Sequence, residues 1–334
     1  RVVIAWQESE ATDSDGGEVY LSLQSSTDGE NWDEFSRVLG PFPFVGEEVR
    51  IYSLIVGGDG TAYIAVSSGK EVVDIYKLTP DTGVVEQTAS INMEGTTVAP
   101  TLYVSSDGGL LLFATQEVST QDTAGRVIQT TAIVYSRSAD GTEWAPVQLF
   151  VGDEAIRITL HFLPRHTTFA GRDYVVFQAW IADPELNRQS NQLYLKISDD
   201  GGQTWTPAER LTDFSEFVDQ TRRIPGAFNN ENPFLHALDD KIVITWERRI
   251  DSPRPQIYYG ELNSEGEFIT NPEAVTQSVR SHRAPKAFEY QGRTYLLWFD
   301  NRAGEEHVIL AEKRGVVWND YDLSTGVEGL SQFA

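Results

Sequence analysis

The chain has 334 residues, with 50 Asp and Glu against 26 Lys and Arg, and a formal net charge of −24. That charge argues against nucleic acid as a partner, because neutralising phosphates needs Lys and Arg, and it equally opposes docking on an anionic membrane surface. The sequence has no cysteine, so disulfides play no part in its stability, and no apolar run approaches the length of a transmembrane helix.

Helical periodicity is nearly absent. Short β-rich runs recur instead, divided by clusters of Gly, Asp, Asn and Pro, the pattern of an all-β repeat fold. In chain order, Val2-Val3-Ile4-Ala5-Trp6 reads as the second strand of an incomplete first unit. A second unit runs over about 48–92 from Arg50, with a diverged turn at Thr79-Pro80-Asp81-Thr82-Gly83, and a third over about 97–150. The fourth, 157–212, starts at Arg157 and passes through Tyr174-Val175-Val176-Phe177. The fifth, 222–276, opens on Arg223-Ile224-Pro225 and continues through Lys241–Trp246 and Gln256–Leu262. The sixth, 282–322, opens on Arg283-Ala284-Pro285 and continues through Tyr295-Leu296-Leu297-Trp298. The first unit, 1–40, lacks an opening strand, and the C-terminal segment 326–334 is expected to supply it and leave no open sheet edge.

Three turns say nearly the same thing: Ser26-Thr27-Asp28-Gly29-Glu30-Asn31-Trp32, Ser138-Ala139-Asp140-Gly141-Thr142-Glu143-Trp144 and Ser198-Asp199-Asp200-Gly201-Gly202-Gln203-Thr204-Trp205. Asp accepts hydrogen bonds from nearby backbone amides, Gly supplies positive φ and Trp packs over the turn. Asp28, Trp32, Asp140, Trp144, Asp200 and Trp205 are therefore read as structural. The chain resembles the Asp-box (bacterial neuraminidase repeat) β-propellers of the sialidase superfamily. The resemblance implies one six-bladed propeller over 1–334, with four-stranded antiparallel blades and a ring closed by the C-terminal segment.

In such a propeller the opening strands line a central channel, and Arg50, Arg157, Arg223 and Arg283 stand at four of them. Guanidinium groups around one axis suit an anionic ligand, although each could instead pair with a local acid. Arg223-Ile224-Pro225 matches the motif with which sialidases hold a sialic acid carboxylate, and Trp246-Glu247-Arg248-Arg249-Ile250-Asp251 looks like the stretch that carries their aspartate. Here the motif follows the boxes instead of preceding them, and no Tyr–Glu pair stands at matching positions. Glu247, Asp251 and Asp300 are the candidate acids of a glycosidase, which needs two carboxyl groups. Trp6, Trp180, Trp246 and Trp298 are read first as packing residues and second as sugar-stacking surfaces.

The expected function is a propeller binding a glycan or other anionic small molecule at an arginine-lined channel mouth. A sialidase-like glycoside hydrolase is the alternative, and a protein-interaction scaffold of a larger surface protein is the third reading. No cofactor or metal is expected, nor is membrane insertion, and a monomer is. The start at Arg1 in place of Met fits a processed terminus and an extracytoplasmic location.

Overall fold

A computed structural model describes residues 2–11, 17–34, 36–43, 52–57, 60–67, 71–79, 84–95, 97–121, 127–151, 164–183, 188–212, 229–249, 254–277, 280–302 and 305–324. They form six antiparallel sheets in which the strands follow one another in chain order, five with four strands and the first with three. The fold is all-β, and this run of sheets is the blade complement of a six-bladed propeller. The segment 326–334, expected to add the missing strand, lies outside the described residues.

The chain divides into two compact units, Arg1–Phe150 and Val151–Ala334. The first holds β1 (Val2–Ala11), β2 (Gly17–Ser26) and β3 (Ser36–Pro43) as one sheet. Its second sheet is β4 (Tyr52–Val56), β5 (Ala62–Ser67), β6 (Val72–Thr79) and β7 (Val84–Asn92). The third is β8 (Thr97–Val104), β9 (Leu110–Gln121), β10 (Val127–Ser138) and β11 (Gln148–Leu149). In the second unit, β12 (Arg165–Phe169), β13 (Arg172–Asp183), β14 (Arg188–Ser198) and β15 (Glu209–Arg210) form the fourth sheet. The fifth contains β16 (Asn230–Ala237), β17 (Ile242–Arg248), β18 (Gln256–Leu262) and β19 (Glu273–Ala274). The sixth contains β20 (His282–Tyr290), β21 (Arg293–Arg302), β22 (Glu305–Arg314) and β23 (Val317–Asp322).

Second strands are continuous apolar runs because both faces are covered. Along β17, Ile242, Ile244 and Trp246 pack against Tyr174, Val176, Leu193 and Leu195 of the fourth sheet. The alternating Val243 joins Ala287, Leu296, Trp298 and Ile309 of the sixth. Period-two alternation thus sends successive residues into two different inter-sheet cores. Trp246 and Trp298 are buried to 1 % and 4 % exposure, which makes them packing residues in this structure.

The three Asp-containing turns share one hydrogen-bond set. Ser26 Oγ accepts the Gly29 N–H at 2.8 Å, Ser138 Oγ that of Gly141 at 2.8 Å, and Ser198 Oγ that of Gly202 at 2.9 Å. Asp28 Oδ1 accepts the amides of Glu30 and Asn31, Asp140 Oδ1 those of Thr142 and Glu143, and Asp200 Oδ1 those of Gln203 and Thr204. Gly29 and Gly141 both sit at φ 80°, where a Cβ would be strained. The turn after β18 uses Asn263 in the same role, its Oδ1 accepting the amides of Glu265 and Glu267.

Opening strands carry a second repeated device. Ala99 in β8, Asn232 in β16 and Ala284 in β20 have φ of 54°, 50° and 53°, and each precedes a proline. The ladder slips at each: between Val98 and Thr101, Glu231 and Phe234, and Arg283 and Lys286. Pro cannot donate to a ladder, and a bulge is where a strand tolerates it.

Candidate functional site

Two of the expected opening strands lie further along the chain than the sequence reading placed them. The strand pairing with β13 starts at Arg165 and not at Arg157, and the strand pairing with β17 starts at Asn230 and not at Arg223. The residue register makes Asn232-Pro233 the counterpart of Ala284-Pro285. Arg50, Arg157, Arg223 and Asp251 themselves lie outside the described residues.

Glu247, near the end of β17, joins two of the bulges. Its Oε1 accepts the Asn232 side-chain amide at 2.9 Å and the Ala284 backbone N–H at 2.8 Å. The residue is 4 % exposed. Burial pushes its carboxyl above the ordinary glutamate range; the Ala284 and Asn232 donors pull it down, Glu231 pushes it up and Arg249 pulls it down.

Beside this carboxyl lies a band of amides. Glu231 Oε1 accepts the Asn191 amide at 2.9 Å and the Asn229 amide at 2.6 Å, while its Oε2 faces Arg249 Nη2 at 3.2 Å. Gln178 Oε1 takes the Asn232 backbone N–H at 3.2 Å. Beneath them Asn230 donates to Gln192 at 2.9 Å and accepts the Trp246 indole N–H at 2.8 Å. The buried amides hold one another in place, and Arg249, with its side chain 34 % exposed, presents the band to solvent. The sequence reading missed Glu231, Asn232, Asn191, Asn229 and Gln178. The signal on offer was the Asn-rich run Asn229–Asn232 ending on a proline, in step with Ala99-Pro100 and Ala284-Pro285.

The sixth sheet places the remaining candidates. Arg283 is 56 % exposed and forms an ion pair with Glu306, the alternative of a local acid partner. Asp300 is buried, with His282 Nδ1 3.7 Å from its Oδ2. In the fifth sheet, Tyr259 of β18 is 2 % exposed and donates to Glu261 at 2.6 Å, a packing residue. Among the described residues no group of three His, Cys, Asp or Glu side chains is arranged to hold a metal ion, and no helix is long and apolar enough to cross a membrane.

No protein-family model and no curated protein sequence matches the chain. Among solved structures, a protein of unknown function from Dyadobacter fermentans is 14 % identical and superposes with a TM-score of 0.53, covering 91 % of this chain and 92 % of that one. The GH93 alpha-L-arabinofuranosidase of Fusarium graminearum, in complex with arabinobiose, is 14 % identical with a TM-score of 0.48, over 93 % and 92 % of the two chains. The endo-arabinase from Bacteroides thetaiotaomicron is 19 % identical with a TM-score of 0.43, over 80 % and 95 %. At these identities the likeness to the Dyadobacter protein is one of fold.

Proposed function

We propose that this protein is a glycan-binding propeller of the Asp-box type that works outside the cytoplasm, with its ligand where β17 finishes and β16 and β20 begin. The supporting observation is the band of amides, carboxylates and one guanidinium around Glu231, Glu247 and Arg249. Sugar hydroxyls both donate and accept, and fixed amides and carboxylates supply both kinds of partner. The Asp-box assignment is supported by the hydrogen-bond set shared by the turns at Asp28, Asp140 and Asp200. A thermal-shift titration against arabinotriose, sialyllactose and galacturonic acid trisaccharide, with Arg249→Ala as control, tests the reading. Stabilisation of the wild type that is lost in the variant supports it, and no shift with any glycan refutes it.

Glycoside hydrolysis is the second reading, and Glu247 is what favours it. A general acid must stay protonated near neutral pH, and burial pushes this carboxyl in that direction. Glu231 would be the second carboxylate. Release of nitrophenol from arabinofuranoside, sialoside or glucuronide substrates, abolished in Glu247→Gln, would establish it; inactivity over the panel leaves the binding function alone.

A further inference from the structure

Two consecutive sheets tie the next opening strand by the same bond, made with different side chains. Gln178 of β13 accepts the backbone N–H of Asn232 at 3.2 Å, and Glu247 of β17 accepts that of Ala284 at 2.8 Å. Asn232 and Ala284 are the positive-φ residues of equivalent bulges. Gln178 and Glu247 are 6 % and 4 % exposed. The tie needs one acceptor oxygen, which the amide supplies without an ionisable group. A buried glutamate in that place is the costlier choice, and what it adds is a second oxygen that can hold a proton.

The two donors that reach Glu247, from Ala284 and Asn232, converge on Oε1. Among the described residues no donor reaches Oε2. Directly across the ladder stands Glu231, and cross-strand partners hold their Cβ atoms about 4.5–5.5 Å apart. Glu231 receives the Asn191 and Asn229 amides and lies 3.2 Å from Arg249, whereas no described cation is within ion-pair reach of Glu247. On β18 its partner is the apolar Ile257, and on β20 Arg283 is turned to Glu306. Two carboxyl groups so placed do not both ionise readily. The charge goes to the one that holds the guanidinium, and the proton goes to Glu247, in the direction that burial also pushes it.

We infer that Glu247 meets the glycan as a neutral hydrogen-bond donor, with Oε1 committed to the fold and the proton on Oε2. Such a donor selects a sugar oxygen that can only accept, the ring or glycosidic oxygen, because a hydroxyl would be served equally well by an ionised carboxylate. Binding is then linked to a proton, and the ligand is released as pH rises. The inference rests on the glycan-binding reading for its partner, while the state of Glu247 stands on its own contacts.

Calorimetric titration of the whole chain with arabinotriose, sialyllactose and galacturonic acid trisaccharide tests it, in wild type and Glu247→Gln from about pH 5.5 to 8, where sugar carboxylates stay ionised. Gln keeps the Oε1 acceptor and sets a permanent N–H donor where the Oε2 proton stood. Wild-type affinity for the sugar that binds should fall by up to about tenfold per pH unit as pH rises through the raised pKa. Its binding heat should also differ between phosphate and Tris buffers at one pH, because a proton is taken up. Glu247→Gln should still bind, with both effects gone. A flat wild-type profile, or a pH dependence that the variant keeps, overturns the inference. Infrared difference spectra of the sugar-free protein, wild type against Glu247→Gln, separate the two claims by showing whether the protonated carboxyl is there near neutral pH. If its C=O band is present and no sugar binds, the proton on Oε2 stands and the glycan reading fails. If a sugar binds and the band is missing, the glycan reading stands and the inference fails. If there is neither band nor binding, both fall.

Discussion

Replacing Glu247 discriminates between a carboxyl held for its acceptor oxygen and one that merely fills space. The 4 % exposed side chain receives two donors on one oxygen, from Ala284 at 2.8 Å and Asn232 at 2.9 Å. Glu247→Ala leaves both without a partner, at about 1–3 kcal/mol each. Removing a carboxyl that is costly to bury returns part of this, so the net loss should be about 3 kcal/mol. For a unit the size of Val151–Ala334, that lowers the melting temperature by about 6–12 °C. Glu247→Gln keeps an oxygen where both donors point and should cost less than about 1 kcal/mol. The two variants also differ from wild type in pH dependence. The folded carboxyl binds its proton more tightly than the unfolded one, so this group's contribution to stability is fully present below the unfolded pKa and is lost as pH rises through the raised folded one. Glu247→Gln should lose that decline and gain relative to wild type at neutral pH. Thermal unfolding followed by circular dichroism from pH 4 to 8 measures both effects. Equal losses in the Ala and Gln variants, or a pH profile unaltered by Gln, would refute the assignment.

Three further outcomes follow from geometry elsewhere. Gly141→Ala should destabilise the first unit by about 2–4 kcal/mol, because its φ of 80° strains any Cβ and that Cβ would meet the Tyr63 ring at 2.5 Å; a loss under about 0.5 kcal/mol in urea unfolding would contradict this. Ala284→Gly should leave stability unchanged or raise it by up to about 1 kcal/mol, since the residue is held at φ 53°, and a clear drop in melting temperature would show that the methyl group matters more than the strain. The Asp140 carboxyl is brought down to about 2 by the Thr142 backbone amide and hydroxyl and the Glu143 amide. At Asp200, burial works upward but is outweighed by the Thr204 hydroxyl and amide, the Ser198 hydroxyl and the Gln203 amide, again reaching about 2. Both therefore stabilise the fold above the ordinary aspartate range and cease to do so as pH falls toward 2. The double variant Asp140→Asn, Asp200→Asn should flatten that acid limb; an unchanged limb would mean other carboxylates govern it.

The architecture was legible because its signals are local. Each Ser-x-Asp-Gly turn bonds within a few residues of itself, and each second strand shows its double burial as a continuous apolar run. The site was not legible, because its contacts are distant in sequence: Asn191 to Glu231 spans 40 residues and Glu247 to Ala284 spans 37. Polar residues in a strand look solvent-facing until the facing sheet is known. The Arg-Ile-Pro tripeptide drew attention to 223–225, whereas the bulge that shapes the fifth sheet is at Asn232-Pro233, with no arginine in it. Glu247 was singled out for its place after a second strand, and its role in tying two opening strands required the structure.

The two repeated devices sit at opposite ends of a sheet. In the fifth, β17 begins beside the Asn263 turn and ends beside the Asn232 bulge, since Ile242 pairs with Leu262 while Arg248 pairs with Asn230. One end is stitched by a local rule that every copy can repeat. The other is assembled from neighbours and differs from sheet to sheet: Glu231 in one stands where Arg283 does in the next. Substitutions at the second end can therefore change that surface without disturbing the stitching at the first. A scaffold divided in this way lets the residues that flank each bulge be exchanged in the laboratory while the turns stay as they are.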